Sequence, residues 1–219
     1  MLVTRQATPF HFLYTALHGA YGILWLIKDF TYPDKRFQVD ITLGSAVGLV
    51  AVLLAYLWMP FYTFCYASYG PEDNERVFWA TALNIVGVLL MIGADIHKYV
   101  QLKLKSGLIS DGLFSRTRNP NYLGEIMIYL PFAIVSKSTL SYVILFTMWG
   151  LVFSTSMLQK ELSFMNKEGW EIYQKKSLIL LPRIVDDYWT NYKIYGGVAV
   201  ALFLLYLVGG FTGLFFISH

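Results

Sequence analysis

Gly112–Glu125, GLFSRTRNPNYLGE, sets two arginines, two asparagines, a proline and a glutamate against the start of an apolar run. Asn119-Pro120 does not continue a helix from its N-terminal side. Proline lacks the N–H and pushes the residue before it out of α geometry, so the chain is re-aimed before Tyr122 opens the apolar stretch. Arg116 and Arg118 present rigid forks of donors suited to phosphate or carboxylate. Glu125 falls one turn into the run, and a carboxylate at the edge of a membrane span is costly enough to mark a candidate functional site. The competing reading is a basic loop at a membrane surface.

Outward from that stretch the chain is apolar. Its 219 residues are 56% hydrophobic, 17% aromatic and only 14% charged, which predicts an all-α integral membrane protein and not a soluble globule. Residues 10–27 carry no Asp, Glu, Lys or Arg and form a first span; His11, Tyr14, His18, Tyr21 and Trp25 share one of its faces. Two histidines seven apart without a carboxylate partner predict no metal site. Residues 28–40 read as a polar loop. Residues 41–71 are free of charge, with Pro60 expected to kink or end the second span and Gly44-x-x-x-Gly48 suited to close helix approach.

Residues 77–94 make a third span, with Asn84 in its middle and Asp95, on the same face, at its exit. Residues 122–136, interrupted by Pro131, and 138–159 read as a helical hairpin. Residues 160–193, with Trp170 and Tyr173 among charges, read as an amphipathic segment at the interface. A sixth span over 194–217 carries Gly209-x-x-x-Gly213, a face for a partner helix or a homodimer. The expected organisation is one membrane domain over 1–191 with an added helix over 192–219, about six transmembrane helices in all. The loops after spans one, three and five hold 14 of the 17 Lys and Arg, so that side faces the cytosol, or the matrix of a mitochondrion, with the amphipathic segment on it. The endoplasmic reticulum is the expected membrane and the mitochondrial inner membrane the alternative. A net charge of +3 is too small to call for nucleic acid. The single cysteine, Cys65, excludes an intramolecular disulfide and is expected to be a buried thiol. No removable signal peptide is expected.

RTRNPNYLGE resembles the R-x-R-H-P-N-Y-x-G-E signature of a superfamily of small helical membrane enzymes. It includes steroid 5-alpha-reductases, sterol reductases, isoprenylcysteine carboxyl methyltransferases and phospholipid methyltransferases. GADIHKYVQLK upstream, GLFSRTRNPNYLGEIM, and the tail MLQKELSFMNKEGWEIYQKKSLILLP follow in the order of the steroid 5-alpha-reductase-like branch, over roughly residues 90–184. Two positions depart from the methyltransferase pattern: Asn119 stands where a histidine is usual, and Lys160-Glu161 where a Glu-Glu pair is common. The resemblance implies a dinucleotide pocket built with Asp95, Asn121, Tyr122 and Glu125 and covered by Lys160, Glu161 and Tyr173.

Any cofactor reaching these residues must be polar at the water side and meet a lipid-soluble substrate within the bundle. NADPH would set its phosphates against Arg116 and Arg118, with Asp95 or Glu125 on ribose hydroxyls or the carboxamide. S-adenosylmethionine, the alternative, needs fewer cations and a carboxylate or aromatic face near its sulfonium. Reduction of an activated double bond also needs a proton donor, for which Tyr21 and His18 on the first span are the candidates. The sequence thus ranks an NADPH-dependent reductase of a steroid-like or isoprenoid lipid first. A lipid or isoprenylcysteine methyltransferase comes second, and a catalytically silent subunit of a membrane complex third.

Overall fold

The computed structural model describes residues 7–33 and 40–207. The described chain is helical, with one isolated bridge between Thr117 and Leu178 as its β pairing. Among the described residues, four helical stretches are long and apolar enough to cross a membrane: Pro9–Thr31, Leu43–Cys65, Pro71–Leu104 and Thr139–Phe164. The protein is an all-α membrane protein.

The first helix, α1 (Pro9–Thr31), buries Phe10, His11, Tyr14, Tyr21 and Lys28 on one stripe, the face that the aromatic spacing predicts. It runs past the expected loop start, so Lys28 lies in its last turn and is buried. His11 is fully used within the fold: Nδ1 accepts from the Thr8 N–H at 2.9 Å and Nε2 donates to the Thr63 carbonyl at 3.1 Å. The second span is broken into α2 (Leu43–Tyr56) and α3 (Trp58–Cys65). The break precedes Pro60 because the ring has no N–H for the Tyr56 carbonyl four residues back and clashes with it. Cys65 is exposed and not buried. A thiol at the surface of a span meets lipid, which suits a small hydrophobe as well as a core does.

Helix α4 (Asn74–Leu104) has 31 residues, so Asp95 stands well inside a helix and not at its exit. The helix does not end where the span was expected to exit, because Ile96 to Leu104 contains no helix breaker. Its buried stripe of Ala80, Asn84, Gly87, Met91, Ala94 and Asp95 packs on α5 (Pro120–Ser136). Asn84 is buried there with its side-chain nitrogen unpartnered among the described residues.

Close approach between α4 and α5 depends on two glycines. A Cβ on Gly124 would lie 2.6 Å from the Met91 nitrogen and 2.7 Å from the Gly87 carbonyl oxygen; one on Gly87 would lie 2.7 Å from the Gly124 oxygen. The expected packing pair, Gly44 and Gly48, instead faces open space, since a Cβ on Gly48 meets nothing within 4 Å. Gly209 and Gly213 lie outside the described residues.

Lys137, in the left-handed region at φ 57°, turns α5 into α6 (Thr139–Met148), as the hairpin reading expects. A π-helical turn over Trp149–Phe153 then leads into α7 (Ser154–Phe164). Short α8 (Trp170–Lys176) turns Trp170 and Tyr173 inward, and α9 (Tyr188–Leu207) begins under an Asp187 carboxylate that accepts from the Thr190 N–H at 2.6 Å.

The two ends of the bundle differ in their contacts. At one end Lys137 pairs with Asp73 at 3.0 Å and lies over the Phe10 ring. At the other, Lys28 meets Asp95, Arg118 meets Glu161, and the 112–119 turn meets the 177–184 segment. Cysteines introduced at Ser110 and at Thr139, in a Cys65→Ser background, are expected to react with impermeant maleimide from opposite sides of the membrane, Ser110 from the cytosolic side. Labelling of both from one side overturns this arrangement.

Candidate functional site

At the end of the bundle opposite the Lys137–Asp73 pair, the Arg116–Asn119 turn is stitched to the segment after α8 by paired backbone and side-chain bonds. Arg118 N donates to the Leu178 carbonyl at 2.9 Å and Leu178 N to the Arg116 carbonyl at 3.2 Å. Thr117 Oγ1 donates to Leu180 O at 2.8 Å, and Asn119 Nδ2 to Ile179 O at 2.9 Å. Arg118 is buried within this seam. Its Nε meets Glu161 at 2.8 Å, one Nη meets the Ser177 carbonyl at 2.6 Å, and the guanidinium lies over Trp170. Arg116 is exposed, and its Nη1 donates to the carbonyls of Arg183 and Ile184. Tyr173 donates to the Phe114 carbonyl at 2.8 Å, and burial pushes its phenol above the usual range, so it remains a donor. Arg118 and Glu161 therefore hold each other within the seam, while Tyr173 ties α8 to the Phe114 turn.

Asp95 lies on a different face of α4. Gly93, His97 and Gln101 meet the 111–114 turn: a Cβ on Gly93 would lie 3.2 Å from Leu113, His97 meets Asp111 at 3.3 Å, and Gln101 donates to Asp111 at 3.1 Å. Asp95, Lys98, Tyr99, Leu102 and Lys103 turn the other way by helical periodicity. With Lys28, Tyr32 and Pro33 they line a cavity of about 430 Å³. Its floor is the buried Lys28–Asp95 ion pair. Three lysines against one carboxylate make this cavity cationic, and Lys103 lies 4.4 Å from the Tyr99 ring centroid. Burial, followed by the nearby Asp95 charge, pushes the Tyr32 phenol upward, so it too remains a donor.

A second cavity, of about 290 Å³, is apolar and lies deeper in the bundle. Val52, Met59, Leu145, Met148 and Phe153 supply most of its wall, and His18, Tyr21, Tyr56 and Tyr129 its polar groups. One face of α1 joins the two cavities. Lys28 Nζ sits 4.9 Å from the Trp25 ring centroid, Trp25 Nε1 donates to the Tyr21 hydroxyl at 2.8 Å, and Tyr21 and Tyr129 share a hydrogen bond of 3.1 Å.

Tyr122, Glu125, Tyr129 and Phe132 follow at helical spacing on α5. Tyr122 packs on Phe153 at 5.0 Å, and Lys160 lies over the Tyr122 ring at 4.3 Å while donating to Asn119 Oδ1 at 3.2 Å. The half-buried Glu125 carboxylate is an electrostatic neighbour of both the Tyr21 and Tyr129 hydroxyls. Asn121 is buried one turn before Gly124. Because Gly124 meets Gly87 and Met91 in antiparallel register, Asn121 lies level with Ala94 and Asp95.

The sequence-derived residues thus fall into three groups. Tyr21, His18, Tyr122 and Glu125 surround the apolar cavity or its approach; Asp95, with Asn121 level with it, belongs to the cationic cavity; Arg116, Arg118, Glu161 and Tyr173 form the seam. Lys160 joins the seam's Asn119 to Tyr122. Lys28 and Tyr129 were missed, and Trp25 was placed on the right face of α1 but given no role. Lys28 and Trp25 share the α1 stripe with Tyr21, and Tyr129 is one turn past Glu125, so helical spacing carried the signal for all three.

Comparison with protein families matches residues 29–177 to the family described as "Protein of unknown function (DUF1295)". The match takes in Asp95 through Tyr173 and stops short of Lys28, Tyr21 and His18. Among curated proteins the chain is similar to "Uncharacterized protein C594.04c" of Schizosaccharomyces pombe, 34% identical over 99 residues. Those residues are 42% of this chain and 28% of the yeast protein. No solved structure matches.

Proposed function

The chain belongs to the DUF1295 family, within the steroid 5-alpha-reductase-like superfamily, and on that footing we propose that it is an NADPH-dependent reductase of a lipid double bond. One observation carries this reading: a cationic cavity and an apolar cavity are joined through Lys28, Trp25 and Tyr21 on one face of α1. A phosphate-rich cofactor suits the first, where Lys28, Lys98 and Lys103 supply charge and Tyr32 and Tyr99 supply ring faces. S-adenosylmethionine, with a cationic sulfonium and no phosphate, suits it poorly. The braced state of Arg118 moves the expected phosphate contacts from the arginines to these lysines.

When bound, NADPH would supply a hydride. The chain's own part is to hold an apolar substrate away from water and to provide a proton. Tyr21 is the donor that fits: its hydroxyl sits at the cavity wall, fixed by Trp25 and Tyr129. Glu125, close to both hydroxyls, orients the pair and returns the proton from the cytosolic side.

NADPH is expected to raise the melting temperature of the purified protein, and S-adenosylmethionine to leave it unchanged. Lys103→Ala should weaken NADPH binding about tenfold or more, the loss of one charge-assisted bond. Tyr21→Phe should keep cofactor affinity and slow lipid-dependent NADPH oxidation by about 10²–10⁴-fold. A wild-type protein indifferent to NADPH, or stabilised by S-adenosylmethionine alone, rejects the reductase reading.

A further inference from the structure

Tyr21 is hydrogen-bonded from two sides, and the chemistry of one partner constrains where its own proton goes. An indole N–H donates and never accepts, whereas a phenol oxygen has two acceptor lone pairs and one O–H. The 2.8 Å bond from Trp25 Nε1 therefore takes up one lone pair of the Tyr21 oxygen. The Tyr129 hydroxyl, 3.1 Å away, can donate to the other, which leaves the Tyr21 O–H to point into the apolar cavity that Tyr21 lines. Trp25 is itself polarised. The Lys28 ammonium lies 4.9 Å from its ring centroid and is held by the ion pair with Asp95. A cation at the ring face draws electron density from the indole and makes its N–H a stronger donor.

We infer that Trp25 is a positioning residue for proton donation: its N–H, polarised by Lys28, aims the Tyr21 hydroxyl into the cavity and holds the tyrosinate left when the proton has gone. This rests on the reductase reading. In that reaction the substrate double bond takes up a hydride from NADPH and a proton from Tyr21; the Tyr21 O–H bond breaks and its electron pair stays on the oxygen. A bare tyrosinate in an apolar cavity is costly. The Glu125 carboxylate, an electrostatic neighbour of the same hydroxyl, opposes the new charge until the proton is returned. Donors already in place at a developing oxyanion offset that cost without reorganising, and Trp25 and Tyr129 are those donors here.

The test uses the full-length protein in detergent and two readouts. Without cofactor, the indole N–H resonance of Trp25 is followed in protein labelled with nitrogen-15 tryptophan and identified by its loss in Trp25→Phe. Tyr21→Phe and the double variant Lys28→Met/Asp95→Leu should each move that resonance upfield, as a weakened hydrogen bond does. Either variant leaving it in place overturns the inference. With NADPH, turnover is followed on whichever of a 3-keto-4-ene steroid and a polyprenal the protein reduces. Trp25→Phe should lower kcat at least about tenfold and leave KM within about threefold, since the lost donor serves the oxyanion and not the bound substrate. Trp25→His, whose Nε2 stands where the indole nitrogen did, should recover most of the loss. In a Tyr21→Phe background the further loss from Trp25→Phe should be below about threefold, because the effect passes through the Tyr21 oxygen. An unchanged kcat in Trp25→Phe, a loss confined to KM, or losses that multiply in the Tyr21→Phe background overturn the inference and keep the reductase reading. Wild-type protein that oxidises NADPH with neither lipid sinks both.

Discussion

Lys28→Met is expected to destabilise the protein by about 3–5 kcal/mol, because it leaves the Asp95 carboxylate buried without its counter-charge. The ion pair joins α1 to α4, and both side chains are largely buried, so solvent screening does little to soften the loss. Asp95→Leu alone should cost a similar amount by stranding the lysine. The double variant Lys28→Met/Asp95→Leu should recover most of the stability, since replacing both charges by apolar groups of like size is often close to neutral. Melting temperatures of the four proteins in one detergent measure this cycle. Additive losses in the double variant would show that the two side chains act independently and would refute the pairing. The double variant should also bind NADPH weakly, because the floor of the cationic cavity is gone.

The second large effect concerns the helix crossing. Gly124→Leu is expected to lower stability by about 1–3 kcal/mol or more, because its Cβ alone would stand 2.6 Å from a backbone nitrogen and 2.7 Å from a backbone oxygen of α4. Neither atom belongs to a flexible side chain, so the helices must separate. Separation strips contacts from Met91 and Ile128, which are almost fully buried in this interface. Gly87→Ala should act in the same direction through the Gly124 oxygen. Gly48→Leu, on the open face of α2, is the control and should leave the stability within about 0.5 kcal/mol of wild type. Equal melting of Gly124→Leu and wild type would exclude the close crossing.

Composition alone decided the class of this protein: charge-free runs long enough to span hydrocarbon leave helices as the way to satisfy their backbone groups. The aromatic stripe of α1 and the α5–α6 hairpin were legible for the same reason, since helical periodicity acts within a few residues, but the interruption expected at Pro131 does not occur: α5 runs through it to Ser136 and turns at Lys137. The Asn119-Pro120 turn was legible too, and α5 begins at Pro120. Helix ends were harder to place. Lys28 and Asp95 read as loop boundaries because each is a charge beside an apolar run, yet each lies inside a helix, with the other as partner 67 residues away.

Only the tertiary structure decided how the polar residues are shared out. Arg118 reads in sequence as a phosphate ligand, but its fork is met by Glu161 and Ser177 from segments 43 and 59 residues on. A glycine's part in packing is likewise invisible from its own neighbourhood: Gly44-x-x-x-Gly48 has the familiar spacing and meets no other helix, while Gly87 and Gly124 have no shared motif and touch backbone to backbone. The physical reason is range. Spans, turns and faces follow from forces within a turn or two of chain, whereas ion-pair partners, cavities and close crossings depend on which helices pack together, and that is a property of the whole bundle.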